Sequence, residues 1–191
     1  SNNGELKIND SSTNQLGSIE SSIYNNDAAE LYIQSGTFKE IYNDGNGTIN
    51  ILGGNLERVI NNQTGIINIY GGIIRYTSIN KKDGTINIID GTINGISNDG
   101  IGTIKISGGI IQNSPYGLNI KEPNSKIIIE GGEFKGTTSG IYIPQGMQIK
   151  NTGEYQNGYV NLPNGKYIAY RANDEYIINY LQDEKTSGWI K

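Results

Sequence analysis

Thr48-Ile-Asn-Ile-Leu-Gly-Gly54 is one copy of a repeat to which the chain returns at a nearly constant interval. Each copy closes on a glycine, and these are Gly36, Gly54, Gly72, Gly91, Gly109 and Gly132. The intervals between them are 18, 18, 19, 18 and 23 residues. A period near 20 residues is typical of proteins built from stacked repeats.

Apolar residues alternate with other residues within each copy, which is the pattern of a strand with one buried face. The positions five and three residues before the last glycine, and two after it, are large and apolar in every copy. These eighteen residues are Leu31, Ile33, Phe38, Ile49, Ile51, Leu56, Ile67, Ile69, Ile74, Ile86, Ile88, Ile93, Ile104, Ile106, Ile111, Ile127, Ile129 and Phe134. One turn offers too few inward side chains to fold alone, so the sequence predicts a core made by stacking turns.

The fold class that follows is all-β, a right-handed single-stranded parallel β-helix with coils of about 18 residues. A left-handed hexapeptide helix requires an aliphatic residue at every sixth position, and the spacing here differs. Helical repeats are disfavoured because Gly, Asn and β-branched residues crowd the units.

The repeat Gly-Thr-Ile-x-Ile-x-Gly-Gly-x-Ile resembles the β-solenoid repeats of large surface and secreted proteins of Gram-positive, clostridial-type anaerobes. It is also similar in fold to the pectate-lyase-like superfamily. The resemblance covers roughly residues 28–146. It implies an extracellular protein, secreted or attached to the cell wall of a Gram-positive bacterium, and associates the chain with adhesion and virulence.

Three segments are predicted. Residues 1–27 form a degenerate first coil or N-terminal cap, since Leu6 and Ile8 fit the inward positions. Residues 28–146 form the parallel β-helix, and residues 147–191 form a C-terminal cap or appendage containing a hairpin turned at Pro163-Asn-Gly165. We expect the chain to be a piece of a longer polypeptide with flanking domains.

Polar rows are expected outside the coils, where Thr48, Asn50 and their equivalents stack at the strand spacing. Such rows either tile a solvent-facing sheet or form a flat surface for ice or a glycan. Glu30, Ile66, Lys105 and Lys126 interrupt them, which argues against ice binding. A further corner of each coil, which we call the third corner, follows about eight residues after the glycine. Asn43-Asp-Gly45 and Asn98-Asp-Gly100 predict structural turns there. In this register Asn62 and Asn80 separate Asp44 from Asp99.

Aromatic residues give the candidate binding sites. Asn113 to Pro123 lengthen one coil and are predicted to leave the stack as a surface loop, which brings Tyr116 near Tyr142. Six tyrosines and the only tryptophan lie beyond residue 154. The ligand-binding candidates are therefore Tyr116, Tyr142, Tyr155, Tyr159, Tyr167, Tyr170 and Trp189. The alternative for the C-terminal rings is an aromatic-rich β cap that closes the core.

Composition argues against several functions. The chain has no His and no Cys, which removes imidazole, thiol and the usual transition-metal ligands. Few acidic residues lie near the glycine corners, and Glu130 and Glu133, which flank one Gly-Gly pair, are expected to point different ways. We therefore expect no catalytic residues, no metal site and no cofactor. The formal net charge of -4 argues against nucleic acid as a partner, and no segment indicates membrane insertion.

The predicted function is a non-enzymatic β-solenoid module that acts in adhesion or receptor binding, or as a rigid stalk. Its partner would be a host or environmental glycan or a surface protein. The alternative is a carbohydrate-active β-helix that binds, or by lyase or hydrolase action degrades, a polysaccharide. Aligned carboxylates across adjacent coils would favour that alternative, and the sequence offers none.

Overall fold

A computed structural model of the chain describes residues 4–11, 17–122, 124–143, 148–151, 154–157, 160–162, 165–172, 175–183 and 186–189. Side chains are described in most of the part up to Tyr142, and only the backbone is described after it. Strands account for the regular structure in these ranges, and no helix is present in them. The all-β class predicted from the sequence is confirmed.

The strands of the first turns are β1 (Glu5–Ile8), β2 (Ser18–Ile19), β3 (Ile23–Asn25), β4 (Glu30–Ile33), β5 (Thr37–Asn43), β6 (Thr48–Ile51), β7 (Asn55–Asn61), β8 (Ile66–Ile69), β9 (Ile73–Ile74) and β10 (Ser78–Asn80). The later turns contain β11 (Thr85–Ile88), β12 (Thr92–Ile93), β13 (Ile96–Asn98), β14 (Thr103–Ile106), β15 (Ile110–Ile120), β16 (Lys126–Ile129) and β17 (Glu133–Ile143). The C-terminal segment contains β18 (Gln148–Asn151), β19 (Glu154–Asn157), β20 (Val160–Leu162), β21 (Gly165–Ala172), β22 (Glu175–Asp183) and β23 (Thr186–Trp189).

Each strand up to β17 pairs in parallel with the equivalent strand one coil away. Ile49, for example, pairs with Leu31 on one side and with Ile67 on the other. Continued along the chain, this register stacks the strands into a parallel β-solenoid of about six turns, roughly 18 residues apart. The solenoid predicted from the repeat is thereby confirmed.

The core is a continuous column of apolar side chains. All eighteen predicted inward residues are buried, with at most 3% of their surface exposed. The third side of each coil adds Ile41, Val59, Ile96, Leu118 and Ile141 to the same column. Burial of a side chain of this size contributes about 1.5 to 3 kcal/mol, so most of the stability comes from contacts between coils rather than within one.

Glycine is required at the corner after the first strand of each coil. Gly72 has a φ of 92°, in the left-handed region that side chains rarely adopt. A Cβ atom at Gly72 would also lie 2.7 Å from the carbonyl oxygen of Gly54 in the preceding coil. Both the conformation and the close approach of neighbouring coils therefore explain the repeated glycine.

The first turn has the register that its sequence predicts. Strand β1 pairs with β4 so that Leu6 lies opposite Leu31 and Ile8 opposite Ile33. Strands β2 and β3 pair with β5 on the other sides of the coil. The apolar column therefore begins at Leu6.

The lengthened coil is a strand and not the predicted surface loop. Strand β15 runs through the insertion and pairs with β17, with shifts of register between Gln112 and Ser114 and between Ser114 and Tyr116. The sequence prediction was wrong because the following coil is lengthened as well, so the extra residues find backbone partners. Leu118 returns to the core as a result.

A ladder of buried asparagines lines the third corner. The sequence predicted structural turns there but not the burial of these side chains. Asn43, Asn61, Asn80 and Asn98 face inward with no exposed surface, and Asn25 begins the series at 5%. Each side-chain Nδ2 donates a hydrogen bond to the carbonyl oxygen four residues later, at 2.8 to 3.0 Å. The buried amides thus satisfy backbone groups of the turn that would otherwise lack partners.

The register predicted for this corner is wrong at one position. Asn80 pairs with Asn61 in the ladder, because the coil that contains it is one residue longer. The backbone amide of Lys81 donates to the carbonyl oxygen of Asn61. Lys81 therefore occupies the position in the outward row, between Asn62 and Asp99, that was predicted for Asn80. The outward row therefore carries a lysine beside Asp99.

The C-terminal strands turn back onto the last coils. Strands β20 and β21 both pair antiparallel with β17, and β21 also pairs with β16. The hairpin predicted at 163–165 would pair β20 with β21, whereas the described part of each strand pairs with β17. Pro163 and Asn164 of the predicted turn lie outside the described residues. The observed hairpins are β18 with β19, β21 with β22, and β22 with β23.

Candidate functional site

The two predicted candidates on the solenoid are in contact. Tyr116 in β15 and Tyr142 in β17 stack with ring centroids 4.6 Å apart and ring planes 26° from parallel. Both side chains are half-buried. The predicted proximity is therefore present, while ligand binding at this pair stays a prediction.

The C-terminal candidates are placed only by their backbone. Tyr155 lies in β19, Tyr167 and Tyr170 in β21, and Trp189 in β23, and their side chains are outside the described part. Tyr159 lies outside the described residues altogether. The choice between a binding face and a buried cap therefore stays a prediction.

An exposed apolar surface that the sequence reasoning missed lies beside the glycine corner. It comprises Leu52, Tyr70 and Ile89, which we call the corner strip, and their exposed fractions are 46%, 49% and 38%. All three occupy the position two residues before the last glycine of a coil. The sequence contains this signal as a third outward row, beside the rows four and six residues before the glycine.

Backbone hydrogen bonds hold the corner strip in register. The amides of Leu52 and Tyr70 each donate to a core residue of the preceding coil, with N to O distances of 2.8 Å, and Ile89 repeats the contact. Adjacent strands lie about 4.8 Å apart, so the three side chains form a straight row. The equivalent residues at its two ends are the exposed Gln34 and Ser107, which give the row a polar boundary.

Glycine keeps the backbone beside the corner strip free of side chains. Gly71 follows Tyr70, and a Cβ atom there would lie 2.9 Å from the carbonyl oxygen of Leu52. Ile73 follows on the other side of the corner and is 46% exposed. The strip is therefore accessible from the corner.

The predicted polar row that contains Asn50 is a hydrogen-bonded ladder. Asn68 donates to the Oδ1 of Asn50 at 2.9 Å, and Asn87 donates to the Oδ1 of Asn68 at 2.8 Å. Asn50 in turn donates to Glu30 at 3.2 Å. The amides bind one another along the stack, which is the arrangement expected of side chains that tile a sheet.

A second aromatic contact lies on the third side of the coil. Tyr24 and Tyr42 stack with ring centroids 4.9 Å apart and planes 6° from parallel. The Tyr42 hydroxyl donates to Glu40 at 2.6 Å, and Arg58 forms an ion pair with the same carboxylate at 3.2 Å. The hydrogen bond to Glu40, with burial and the carboxylate charge, raises the pKa of Tyr42 to about 12.

Replacing Glu40 by glutamine is expected to lower the pKa of Tyr42 towards its ordinary value, because the charged acceptor that favours the protonated phenol is lost. The raised pKa stabilises the fold below the unfolded-state value of about 10 and ceases to do so as the pH rises through about 12. An ultraviolet titration of the phenolate, with Tyr42→Phe for assignment and Glu57→Gln as control, measures the shift. An unchanged titration in Glu40→Gln would contradict the assignment.

Five carboxylates form ion pairs among the described side chains, and three of them, Glu40, Asp99 and Glu130, pair with a residue of a neighbouring coil. Ion pairs join Glu5 to Lys7, Glu40 to Arg58, Asp99 to Lys121, Glu130 to Lys105 and Glu133 to Lys135, at 2.6 to 3.2 Å. Among the described residues, no group of three or more potential ligands could hold a metal ion. The expectation of no catalytic or metal site stays a prediction.

The fold and the corner strip define a parallel β-solenoid with an apolar strip on its outer face. No helix with the length and hydropathy to cross a bilayer occurs in the described part of the chain. No family model, curated protein or solved structure matches the chain. The resemblance to clostridial-type surface repeats and to the pectate-lyase-like superfamily therefore depends on the repeat motif alone.

Proposed function

We propose that this chain is a non-enzymatic binding module of a secreted or cell-wall-attached bacterial protein, in which the solenoid holds the corner strip rigidly against a protein partner. The observation that supports it is the exposure of Leu52, Tyr70 and Ile89 on three consecutive coils. Contiguous exposed apolar side chains with a polar boundary are typical of interaction surfaces. The resemblance of the repeats to surface proteins of Gram-positive anaerobes supports the location outside the cell.

A protein is favoured over a glycan as the partner of the corner strip. Recognition of a sugar relies on aromatic rings, whereas two of the three side chains here are aliphatic. The neighbouring Asn amides are engaged with one another rather than directed at a ligand. An apolar protein surface would cover the strip and would leave few polar groups without a hydrogen-bond partner.

The triple variant Leu52→Ser, Tyr70→Ser, Ile89→Ser is expected to lose at least about tenfold in affinity, because the apolar contacts at the centre of the interface are removed. Purified extracellular host proteins and glycans, each immobilised as an array, identify the ligand for the wild-type chain. A titration with the wild-type and variant chains then measures the affinity. Circular dichroism and melting curves show whether the variant is folded.

The matched control carries Thr48→Ser, Thr85→Ser and Thr103→Ser on the same face, two rows away from the strip. We expect it to bind as the wild-type chain does. Equal binding by the strip variant, or a glycan ligand unaffected by it, would contradict the proposal.

The carbohydrate-active alternative has its own test. The purified chain is incubated with a panel of acidic and neutral polysaccharides, with and without Ca²⁺, and release of reducing ends and unsaturated uronates is measured. A non-enzymatic module releases neither. Release that depends on Ca²⁺ would instead indicate a lyase-like activity.

A further inference from the structure

The first strand of each of six consecutive coils contributes its outward side chains to one continuous surface, which we call the ladder face. Its strands are β4, β6, β8, β11, β14 and β16, and each pairs in parallel with the next without a shift of register. The corner strip forms one edge of this face. Side-chain ladders stabilise flat sheets, and a flat sheet can pack against another sheet along its whole length.

The centre of the ladder face is apolar. On the coil of β8, Ile66 is 40% exposed at one edge and Tyr70 is 49% exposed at the other. Leu52 and Ile89 lie on the coils on either side of Tyr70. Between the two edges, Asn68 is hydrogen-bonded to the asparagines of both neighbouring coils. Covering this centre therefore removes apolar surface from water and leaves few polar groups without a partner.

The two ends of the ladder face carry opposite charges. Glu30 lies at the N-terminal end, and its carboxylate accepts a hydrogen bond from the hydroxyl of Tyr32 at 2.7 Å. Lys126 occupies the same row on the last strand of the face and is exposed. The other two charged side chains of the face, Lys105 and Glu130, pair with each other at 2.8 Å. One negative and one positive charge are therefore left at opposite ends, and neither forms an ion pair among the described side chains.

A second copy of the chain complements this surface when its stack runs in the opposite direction. A two-fold axis along the strand direction reverses the order of the coils and keeps the rows of side chains aligned. Glu30 of each copy then lies opposite Lys126 of the other, at the two ends of the contact. Tyr70 lies opposite Ile89 of the other copy at the centre. Because the arrangement is two-fold, each of these contacts forms twice.

Copies whose stacks run in the same direction fit less well. Each coil would then lie opposite the same coil of the other copy, which brings Lys105 opposite Lys105. Like charges in direct opposition cost association energy. Glu30 would lie opposite Gln34 and gain no cation, and Lys126 would approach Glu130, which Lys105 already engages. Charge therefore favours the reversed arrangement.

The size of the ladder face fits a weak dimer. Six coils about 4.8 Å apart, with five residues per strand at about 3.3 Å each, give a face of about 29 by 16 Å. Two such faces bury about 900 Å² together, which is below the area of most stable interfaces. We therefore expect a dissociation constant on the order of 10 μM or weaker, with exchange between monomer and dimer.

We propose that the protein partner of the corner strip is a second copy of this chain, bound through the ladder face in the reversed orientation. The inference rests on the function proposed above, because it uses the same strip and names what covers it. Its two determinants are separable. The apolar centre supplies affinity, and the charges at the two ends select the orientation.

Sedimentation velocity of the full chain, from micromolar to millimolar concentration, measures the association. We expect a monomer–dimer equilibrium and no larger species, because the reversed arrangement uses the same face of both copies and closes on itself. The triple variant Leu52→Ser, Tyr70→Ser, Ile89→Ser should associate at least about tenfold more weakly. Its melting curve shows whether it is folded.

A charge exchange tests the orientation. Glu30→Lys and Lys126→Glu are each expected to weaken self-association about five- to tenfold, because each variant opposes two pairs of like charges. An equimolar mixture of the two variants restores both ion pairs in a mixed dimer and should associate as the wild-type chain does. The control Lys39→Glu reverses an exposed charge on β5, on another side of the coil, and should dimerise normally.

Three results would overturn the inference. These are a chain that stays monomeric at millimolar concentration, a dimer that the strip variant leaves intact, and a mixture of charge variants that associates no better than either variant alone. A monomeric chain whose strip still binds an immobilised protein would leave the proposed function standing. A strip variant that binds an immobilised ligand as the wild-type chain does would contradict the proposed function without changing the sedimentation result.

Discussion

Replacement of Ile69 by alanine is expected to lower the free energy of unfolding by about 2 to 5 kcal/mol. Ile69 is fully buried between the coils that contain Ile51 and Ile88, and neither coil can move into the space without breaking its own register. Ile88→Ala should have a similar effect. Denaturant unfolding followed by circular dichroism measures the change.

Asn68→Ala is the matched control for that substitution, since Asn68 is the outward neighbour of Ile69 on β8. Its removal breaks the ladder bonds to Asn50 and Asn87, which costs about 1 kcal/mol. A larger loss of stability at Asn68 than at Ile69 would show that the inward and outward faces have been assigned the wrong way round.

Replacement of Asn61 by aspartate is expected to destabilise the fold at neutral pH by about 3 to 5 kcal/mol. The buried Nδ2 donates to the carbonyl oxygens of Gly65 at 2.8 Å and Thr85 at 3.3 Å. A carboxylate of the same shape would turn both contacts into repulsion between oxygens and would bury a charge without a partner.

The effect of Asn61→Asp should depend on pH. Burial raises the pKa of the introduced carboxyl in the folded protein, so the penalty grows as the pH rises from the unfolded pKa to the folded one. The variant should therefore recover stability relative to the wild type as the pH falls, because the protonated carboxyl can again donate to Gly65. Melting curves across acid to neutral pH measure this recovery.

Asn46→Asp is the control, because Asn46 is exposed in a turn between coils and should change stability by less than about 0.5 kcal/mol. Equal and pH-independent losses in the two variants would contradict the buried ladder.

The architecture could be predicted from the repeat alone. A strict alternation before each glycine, repeated at intervals of 18 or 19 residues over the regular coils, identifies which side chains face inward, since successive side chains of a strand point to opposite faces. The glycine marks the corner, because a side chain rarely adopts the left-handed conformation found there. These are local requirements, so one coil read alone already contains them.

The course of the insertion and the polar interior depend on contacts between coils, which the sequence pattern does not show. Whether the insertion in β15 leaves the stack depends on the length of the next coil, and β17 gives it a partner. Asn61 resembles a turn residue until the neighbouring coil closes over it and leaves it buried. In each case the deciding contact is made between residues of neighbouring coils. These residues are far apart in the sequence, so the pattern around one of them does not show what covers it.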